Sequence, residues 1–289
     1  MLRALRGQSA RLTVIVSIAE QPGDGDEAQR RVTGASVEDL RRSLEALSGE
    51  EGALLRAIRR PLTIERLGRH PLGNLVIASA ASAFDDYGRA SVWLGERLGI
   101  EGAVLPATSE PVRCQIEPVE DESEPSSQSD VVDRSSRLQF VGDRIDSPPA
   151  AVDAIEQCQC ALLAPGSLYR SVLATAAVPD LAAALSMTPG RVLWIANLAY
   201  DSVQRANMTA IDHLRALKLH GVRVDSVLYD PLAALTFDAS ELARYGVEAI
   251  PRALRSTQNP RVHDPKRLRS ALGELIALHP TGRLDRHRD

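Results

Sequence analysis

Aromatic residues are scarce in this sequence: Phe, Trp and Tyr make up only 3% of its 289 residues. Single-stranded nucleic acid is bound on aromatic platforms, and that composition does not supply them. An excess of positive charge is missing too. Lys and Arg number 34 against 38 Asp and Glu, a net charge of −4, so there is no basic field for a polyanion. Cysteine is rare, with only Cys114, Cys158 and Cys160, which make neither a disulfide framework nor a zinc set. No apolar run approaches the ~20 residues of a membrane span. The first residues, MLRALRGQSARL, lack the uninterrupted apolar stretch of a secretory signal. The expectation is a soluble cytoplasmic protein with no nucleic-acid partner and no membrane partner. Two nucleotide signatures are also missing, the G-x-x-x-x-G-K-[ST] loop and the G-x-G-x-x-G fingerprint.

What is present is 44% hydrophobic residues, arranged as short apolar runs alternating with helical patterns. The chain is organised around CALLAPGSLYRSVLATAAV, residues 160–178. Its opening apolar run has the length of a buried strand. Pro165-Gly166 breaks that strand, Ser167 stands at an N-cap position, and Leu168 to Ala177 reads as a helix ending before Pro179. Strand, glycine turn and helix start together aim backbone N–H groups and a positive dipole end at an anion. Two readings stay open for Ser167: it contacts a phosphate, or it only caps the helix, worth about 1 kcal/mol.

Other segments follow the same alternation. Leu12 to Ile18 is a β-branched run expected to be a parallel strand buried on both faces, with Glu20 just past its carboxyl end. Ligands in open α/β sheets bind at that edge, so Glu20 is a candidate; a solvated loop containing Glu20, Asp24 and Asp26 is the plain alternative. A helix is predicted over 37–47, capped by Ser36, with Val37, Leu40, Leu44 and Leu47 on one face. His70-Pro71 predicts a turn, followed by a helix buried on most of its surface, with Asn74 in its first turn. Residues 112–116 and 138–141 are expected to pair as an antiparallel excursion. Between them runs an acidic, Ser/Pro-rich stretch at 117–137, expected to be mobile, dispensable for folding and first to be cut by protease. Asn197 ends the strand 192–196, where it would face the Gly166 turn across the sheet. His213 and His220 share a helix face without a carboxylate or cysteine beside them, which favours a structural role; no metal site is expected.

The fold class read from this order is α/β: a Rossmann-like, doubly wound, mostly parallel sheet in a single domain over 1–289, with a polar tail at 280–289. A serine hydrolase with Ser167 as nucleophile is a rival, but PGS is not the G-x-S-x-G elbow and no histidine stands at a late strand end. The surviving chemistry is a nucleotide or phosphoryl-ligand site of backbone amides, Ser167, Asn197 and Glu20.

The segments HPLGN (His70 to Asn74), VLPAT (Val104 to Thr108), APGSLYRSV (Ala164 to Val172) and ANL (Ala196 to Leu198), in this order, resemble the CofD/YvcK family. DHLRAL (Asp212 to Leu217) and the strand VDSVLYD add to the likeness, which spans roughly Leu12 to Asp230. The resemblance implies a Rossmann-like fold. One branch of the family transfers a phospholactyl group in deazaflavin cofactor synthesis. The other, YvcK, is a cytoplasmic factor that binds UDP-sugars and affects growth on gluconeogenic carbon, cell shape and wall synthesis. The H-x-L-G-N spelling is closer to the YvcK branch. The family's G-P-G-S stretch matches Gly166, Ser167, Tyr169 and Ser171, with Ala164 in place of its first glycine. Its asparagine after the next strand matches Asn197, and its G-H-S-L-G-N matches His70, Gly73 and Asn74.

Two departures stand out. The family's D-D-G-G is here Glu20-Gln21-Pro22-Gly23, and its opening strand and G-G-G-T-G loop are missing, this chain starting inside the following helix at Leu2 and Leu5. The second departure predicts a longer gene product. With fewer groups left to position a phosphoryl centre, the expectation is a ligand-binding regulator rather than an enzyme, with no assigned catalytic residue and no cofactor. The alternative is a phospholactyl transferase, for which Mg²⁺ would be expected; a further one is a degenerate member acting through protein contacts. The expected partners are a UDP-sugar or other nucleotide diphosphate, and a second copy of the chain in a homodimer.

Overall fold

The computed structural model describes residues 1–7, 11–20, 35–49, 51–64, 68–118, 136–199 and 208–278. Most of the acidic stretch, the 280–289 tail, Asp24 and Asp26 lie outside the described residues. A short helix α1 (Leu2–Leu5) precedes β1 (Thr13–Val16), α2 (Glu38–Leu47) and α3 (Ala53–Arg59). The hairpin of β2 (Pro61–Ile64) and β3 (Gly68–Pro71) leads into α4 (Leu72–Phe84), α5 (Tyr87–Arg97) and β4 (Ala103–Pro106). Strands β5 (Arg113–Pro118) and β6 (Ser136–Val141) pair antiparallel, as the sequence predicts, before α6 (Pro149–Glu156). Next come β7 (Cys160–Leu163), a π-helical turn (Leu168–Leu173) running into α7 (Ala174–Ala176), α8 (Pro179–Met187) and β8 (Arg191–Ile195). The order closes with α9 (Ala210–Leu219), β9 (Ser226–Tyr229), α10 (Ala239–Arg244), β10 (Glu248–Pro251) and α11 (Pro265–Leu278).

The architecture is α/β with parallel strands, as a Rossmann-like fold requires. Four strands lie side by side in the order β10-β9-β8-β7, all parallel, and β1 pairs parallel with β4. Among the described residues no strand joins β1 to β7. The two parallel sheets nevertheless feed the same packing layers. Leu12, Cys160 and Leu162 pack against one cluster, with Leu193, Ile195 and Leu228 from the quartet and Ala4, Leu5, Leu268 and Leu272 from α1 and α11. Ile15 and Ala161 pack against the cluster on the opposite face, with Val192, Trp194 and Val227. A third cluster seats α2 to α5 against the β1–β4 pair through Leu40, Leu44, Ile58, Ile77 and Leu94.

Three local expectations are corrected here. Residues Thr13 to Val16 are half-buried rather than buried on both faces; among the described residues β1 pairs with β4 alone and lies at a sheet edge. His70-Pro71 is strand rather than turn, its backbone paired with Leu62 and Pro61. Helix α4 buries a narrow stripe, Gly73, Asn74, Ile77 and Ala81, instead of most of its surface. Ala and Ser carry little apolar area, so exposing Ser79, Ser82 and Ala83 costs little. The α2 stripe of Val37, Leu40, Leu44 and Leu47 is fully buried, although Val37 rather than Ser36 takes the N-cap position. Helix α9 opens on a capping box between Thr209 and Asp212.

Candidate functional site at the carboxyl edge of the sheet

Strands β7 and β8 are parallel with Leu163 opposite Trp194, and Gly166 and Asn197 each lie three residues beyond that pair. The register therefore delivers them to the same edge, where the strands' carboxyl ends open. They meet as a two-bond clasp. The Gly166 N–H donates to Asn197 Oδ1 at 2.8 Å, and Asn197 Nδ2 donates to the Gly166 carbonyl at 2.8 Å. Asn197 thus faces the glycine turn as its strand position predicts, but both ends of its amide are committed to the backbone. The Gly166 N–H, for the same reason, is not offered to an anion.

Ser167 stands at the N-cap position with extended backbone (φ −59°, ψ 129°), and its hydroxyl makes no capping hydrogen bond. The capping alternative for this side chain is thereby removed. Its carbonyl accepts from both Ser171 and Val172 N–H, each at 3.0 Å. The second of these bonds spans five residues and widens the first turn to π geometry, an insertion found often at functional sites. Ser171 packs under the turn: a Cβ on Gly166 would lie 3.2 Å from the Ser171 Cβ. Tyr169 points away to β6 and donates its hydroxyl to the Ser136 carbonyl at 3.2 Å.

The other predicted residues sit in two further places. His70 (2% exposed), Gly73 and Asn74 (0%) are buried, the latter two against Arg41 of α2. Asn74 Oδ1 accepts from Arg41 Nε at 2.9 Å, and Arg41 in turn pairs with Glu45. Gly73 makes room for this arginine, since a Cβ there would fall 2.8 Å from Arg41 Cδ. Asn74 Nδ2 is buried without a hydrogen-bond partner among the described residues. Glu20 continues the β1 direction into a bridge with β5: its N–H donates to Val112 O (2.8 Å), and its carbonyl accepts from Cys114 N–H (2.7 Å). Its carboxylate lies 3.9 Å from the Arg113 guanidinium.

Sequence reasoning missed several neighbours. His263, in the segment before α11, lies close to the backbone of Ala196, the residue beside Asn197. Burial pushes its pKa down to about 4, the Met1 ammonium adding to the shift while the Ala196 backbone and Asp230 oppose it. The ring is therefore neutral near pH 7, and its Nε2 is buried without a partner among the described residues. Asp230, just past β9, accepts from the N–H groups of Leu232 (2.9 Å), Leu254 (2.7 Å) and Arg255 (3.0 Å). Burial pushes its carboxyl up, but the three N–H bonds and Arg255 outweigh burial and hold it below the usual carboxylate range. The one available signal was position: Asp230 follows a strand on the edge that carries Gly166 and Asn197. Arg41 had no signal beyond its place beside an apolar stripe. The two helix histidines have structural partners, His213 stacked on Trp194 with centroids 5.7 Å apart and His220 Nε2 accepting from Leu138 N–H at 2.7 Å.

The chain is 27% identical to the gluconeogenesis factor of Bacillus subtilis (strain 168) over 299 residues, covering 96% of this chain and 94% of that protein. It is 24% identical to the gluconeogenesis factor of Listeria innocua, covering 90% and 86%. A crystal structure of a UPF0052 family member from Bacillus halodurans superposes with a TM-score of 0.79 at 25% identity, covering 93% of each chain. The 2-phospho-L-lactate transferase CofD family matches residues 1–276, which take in the whole parallel sheet and the carboxyl-edge turn. With the clasped Gly166–Asn197 edge, the parallel α/β architecture and this match over nearly all its length, the chain belongs to the CofD family.

Proposed function

We propose that this protein is a YvcK-like regulatory factor that binds a nucleotide diphosphate sugar, a UDP-sugar, at the carboxyl edge around Gly166, Ser167 and Asn197. The observation that carries the reading is the Gly166–Asn197 clasp. It fixes the turn before any ligand arrives, so the uncapped Ser167 hydroxyl and the amides that open the following helix are held without further loss of backbone entropy. The gluconeogenesis-factor names of the relatives support a role in carbon metabolism; links to cell shape and wall synthesis are part of the proposal. The proposed setting is the cytoplasm; among the described residues no single helix is long and apolar enough to cross a membrane.

The family's transferase name supports a second reading, phospholactyl transfer. That reading calls for a divalent cation; among the described residues no three His, Cys, Asp or Glu side chains gather, and Asp24 and Asp26 lie outside them. The groups at the turn are a hydroxyl and backbone amides, suited to binding and orienting.

Calorimetry with UDP-N-acetylglucosamine, GDP and a phospholactyl-guanosine donor separates the readings. Binding of the UDP-sugar without turnover supports the regulator. Consumption of the guanosine donor with a deazaflavin acceptor establishes the transferase instead, and no response to all three leaves a role through protein contacts. In cells, the regulator reading expects the gene to restore growth on gluconeogenic carbon to a Bacillus subtilis strain lacking its own factor.

A further inference from the structure

The clasp removes the Gly166 amide from the groups that can neutralise an anion at this edge. Cationic side chains stand further along the same edge, beyond β9 and β10. There a cleft of about 610 Å³ opens between Asp230, the segment after Pro251 and the start of α11, with Arg252, Arg255 and Arg267 in its lining. We propose that this cleft is a phosphate-binding site, which takes the phosphoryl or pyrophosphoryl group of a small metabolite on those three guanidinium groups.

Four features point to an anion of that kind. The volume is that of small-molecule sites, which run from roughly 300 to 1,000 Å³. The place is the carboxyl end of parallel strands, where such ligands bind. The charge balance is positive, three guanidinium groups against the single Asp230 carboxylate, and that carboxylate already accepts three backbone N–H bonds. The walls include Pro231, Pro251 and Pro260, whose fixed φ preforms the cleft without adding backbone donors.

The arginines are placed for recruitment. Arg252 meets Glu274 at only 3.8 Å with both side chains about half exposed, a weak pairing, and its Nη1 donates to the adjacent Pro251 carbonyl at 2.9 Å, leaving the other amino group at the rim. Arg267 donates to the Arg255 carbonyl at 3.1 Å, which brings its head group to the rim. Arg255 touches Asp230 Oδ1 through Nε at 3.4 Å, so the buried carboxylate orients its guanidinium. The planar guanidinium fork pairs with oxyanions through two parallel bonds, and three forks around one cleft suit a compact group carrying several negative charges, as pyrophosphate does, better than the spread carboxylates of citrate.

The test is calorimetry on the full chain in phosphate-free buffer with inorganic pyrophosphate, comparing wild type, the Arg252→Gln/Arg267→Gln double variant and Ser167→Ala. Both replaced arginines are exposed, and circular dichroism melts check that the variants fold. Pyrophosphate should bind the wild type, bind the double variant at least tenfold more weakly, and bind Ser167→Ala unchanged; citrate should bind more weakly than pyrophosphate. Competition with UDP-N-acetylglucosamine identifies the source of the phosphate. Mutual exclusion assigns the cleft to the nucleotide's own diphosphate, additive binding assigns it to a separate phosphorylated metabolite, and either sustains the site. No pyrophosphate binding by the wild type, full affinity in a folded double variant, or equal affinity for citrate would overturn it. The site stands apart from the UDP-sugar proposal. Arginine-dependent pyrophosphate binding without UDP-sugar binding removes that proposal alone, and UDP-sugar binding without pyrophosphate binding removes this one alone.

Discussion

Replacing Asn197 tests whether the clasp organises the carboxyl edge. Asn197→Ala deletes two 2.8 Å hydrogen bonds and leaves a half-buried N–H and carbonyl of Gly166 to find water. Each such bond contributes a net ~0.5–1.5 kcal/mol, so the loss should be about 2 kcal/mol. For a chain of this size that corresponds to a fall in Tm of roughly 3–4 °C. Asn197→Asp gives a sharper reading. Its carboxylate can still accept from the Gly166 N–H, but it cannot donate and sets a negative oxygen against the Gly166 carbonyl. That contact raises the introduced carboxyl's pKa in the folded state. A raised carboxyl pKa means that the folded protein holds the proton more tightly than the unfolded chain, so the variant regains stability as pH falls through that pKa. Relative to Asn197→Ala, it should be less stable at pH 8 and recover toward pH 5. Thermal melts followed by circular dichroism across this range decide the matter. An Asn197→Ala protein that melts like the wild type, or two variants with parallel pH profiles, would refute the reasoning.

Three further outcomes are predicted. Gly73→Ala should destabilise by about 1–3 kcal/mol in urea unfolding, because its Cβ would press within 2.8 Å of Arg41 Cδ and 3.1 Å of Ile58 Cβ in a packed layer. Ser167→Ala should leave the melting temperature within about 1 °C of wild type, since there is no cap to lose, while weakening UDP-sugar binding if that proposal holds. Stability should decline as pH falls below about 6.5, because burial lowers the folded pKa of His213 and His263 and the unfolded chain takes up those protons first. His263→Gln should flatten the decline between pH 6.5 and 5, above the range where ordinary carboxylates titrate; an unchanged slope would count against the assignment.

Much of this molecule can be read without coordinates wherever a pattern reports on its own element. The stretch from Cys160 announces strand, turn and helix through an apolar run, Pro165-Gly166 and the residues after Ser167. The buried stripe of α2, the β5–β6 pairing, and the place of Asn197 at a strand end follow from periodicity and punctuation in the same way. Periodicity says which face of a helix or strand is apolar, and it says nothing about which distant segment will meet that face. The register of β7 on β8 decided that both ends of Asn197's amide would be spent on Gly166, 31 residues away in sequence. Arg41 reaches Asn74 across 33 residues, so a motif legible as HPLGN became a packed structural cluster only through a residue outside it. The cationic cleft joins Arg252 and Arg255, three residues apart after a strand end, to Arg267 at a helix start, and nothing in the sequence marks that third partner. Composition and local propensity act over a few residues and determined the elements; hydrogen-bond partners and cavities depend on how those elements are brought together in space, and the tertiary structure alone decided them.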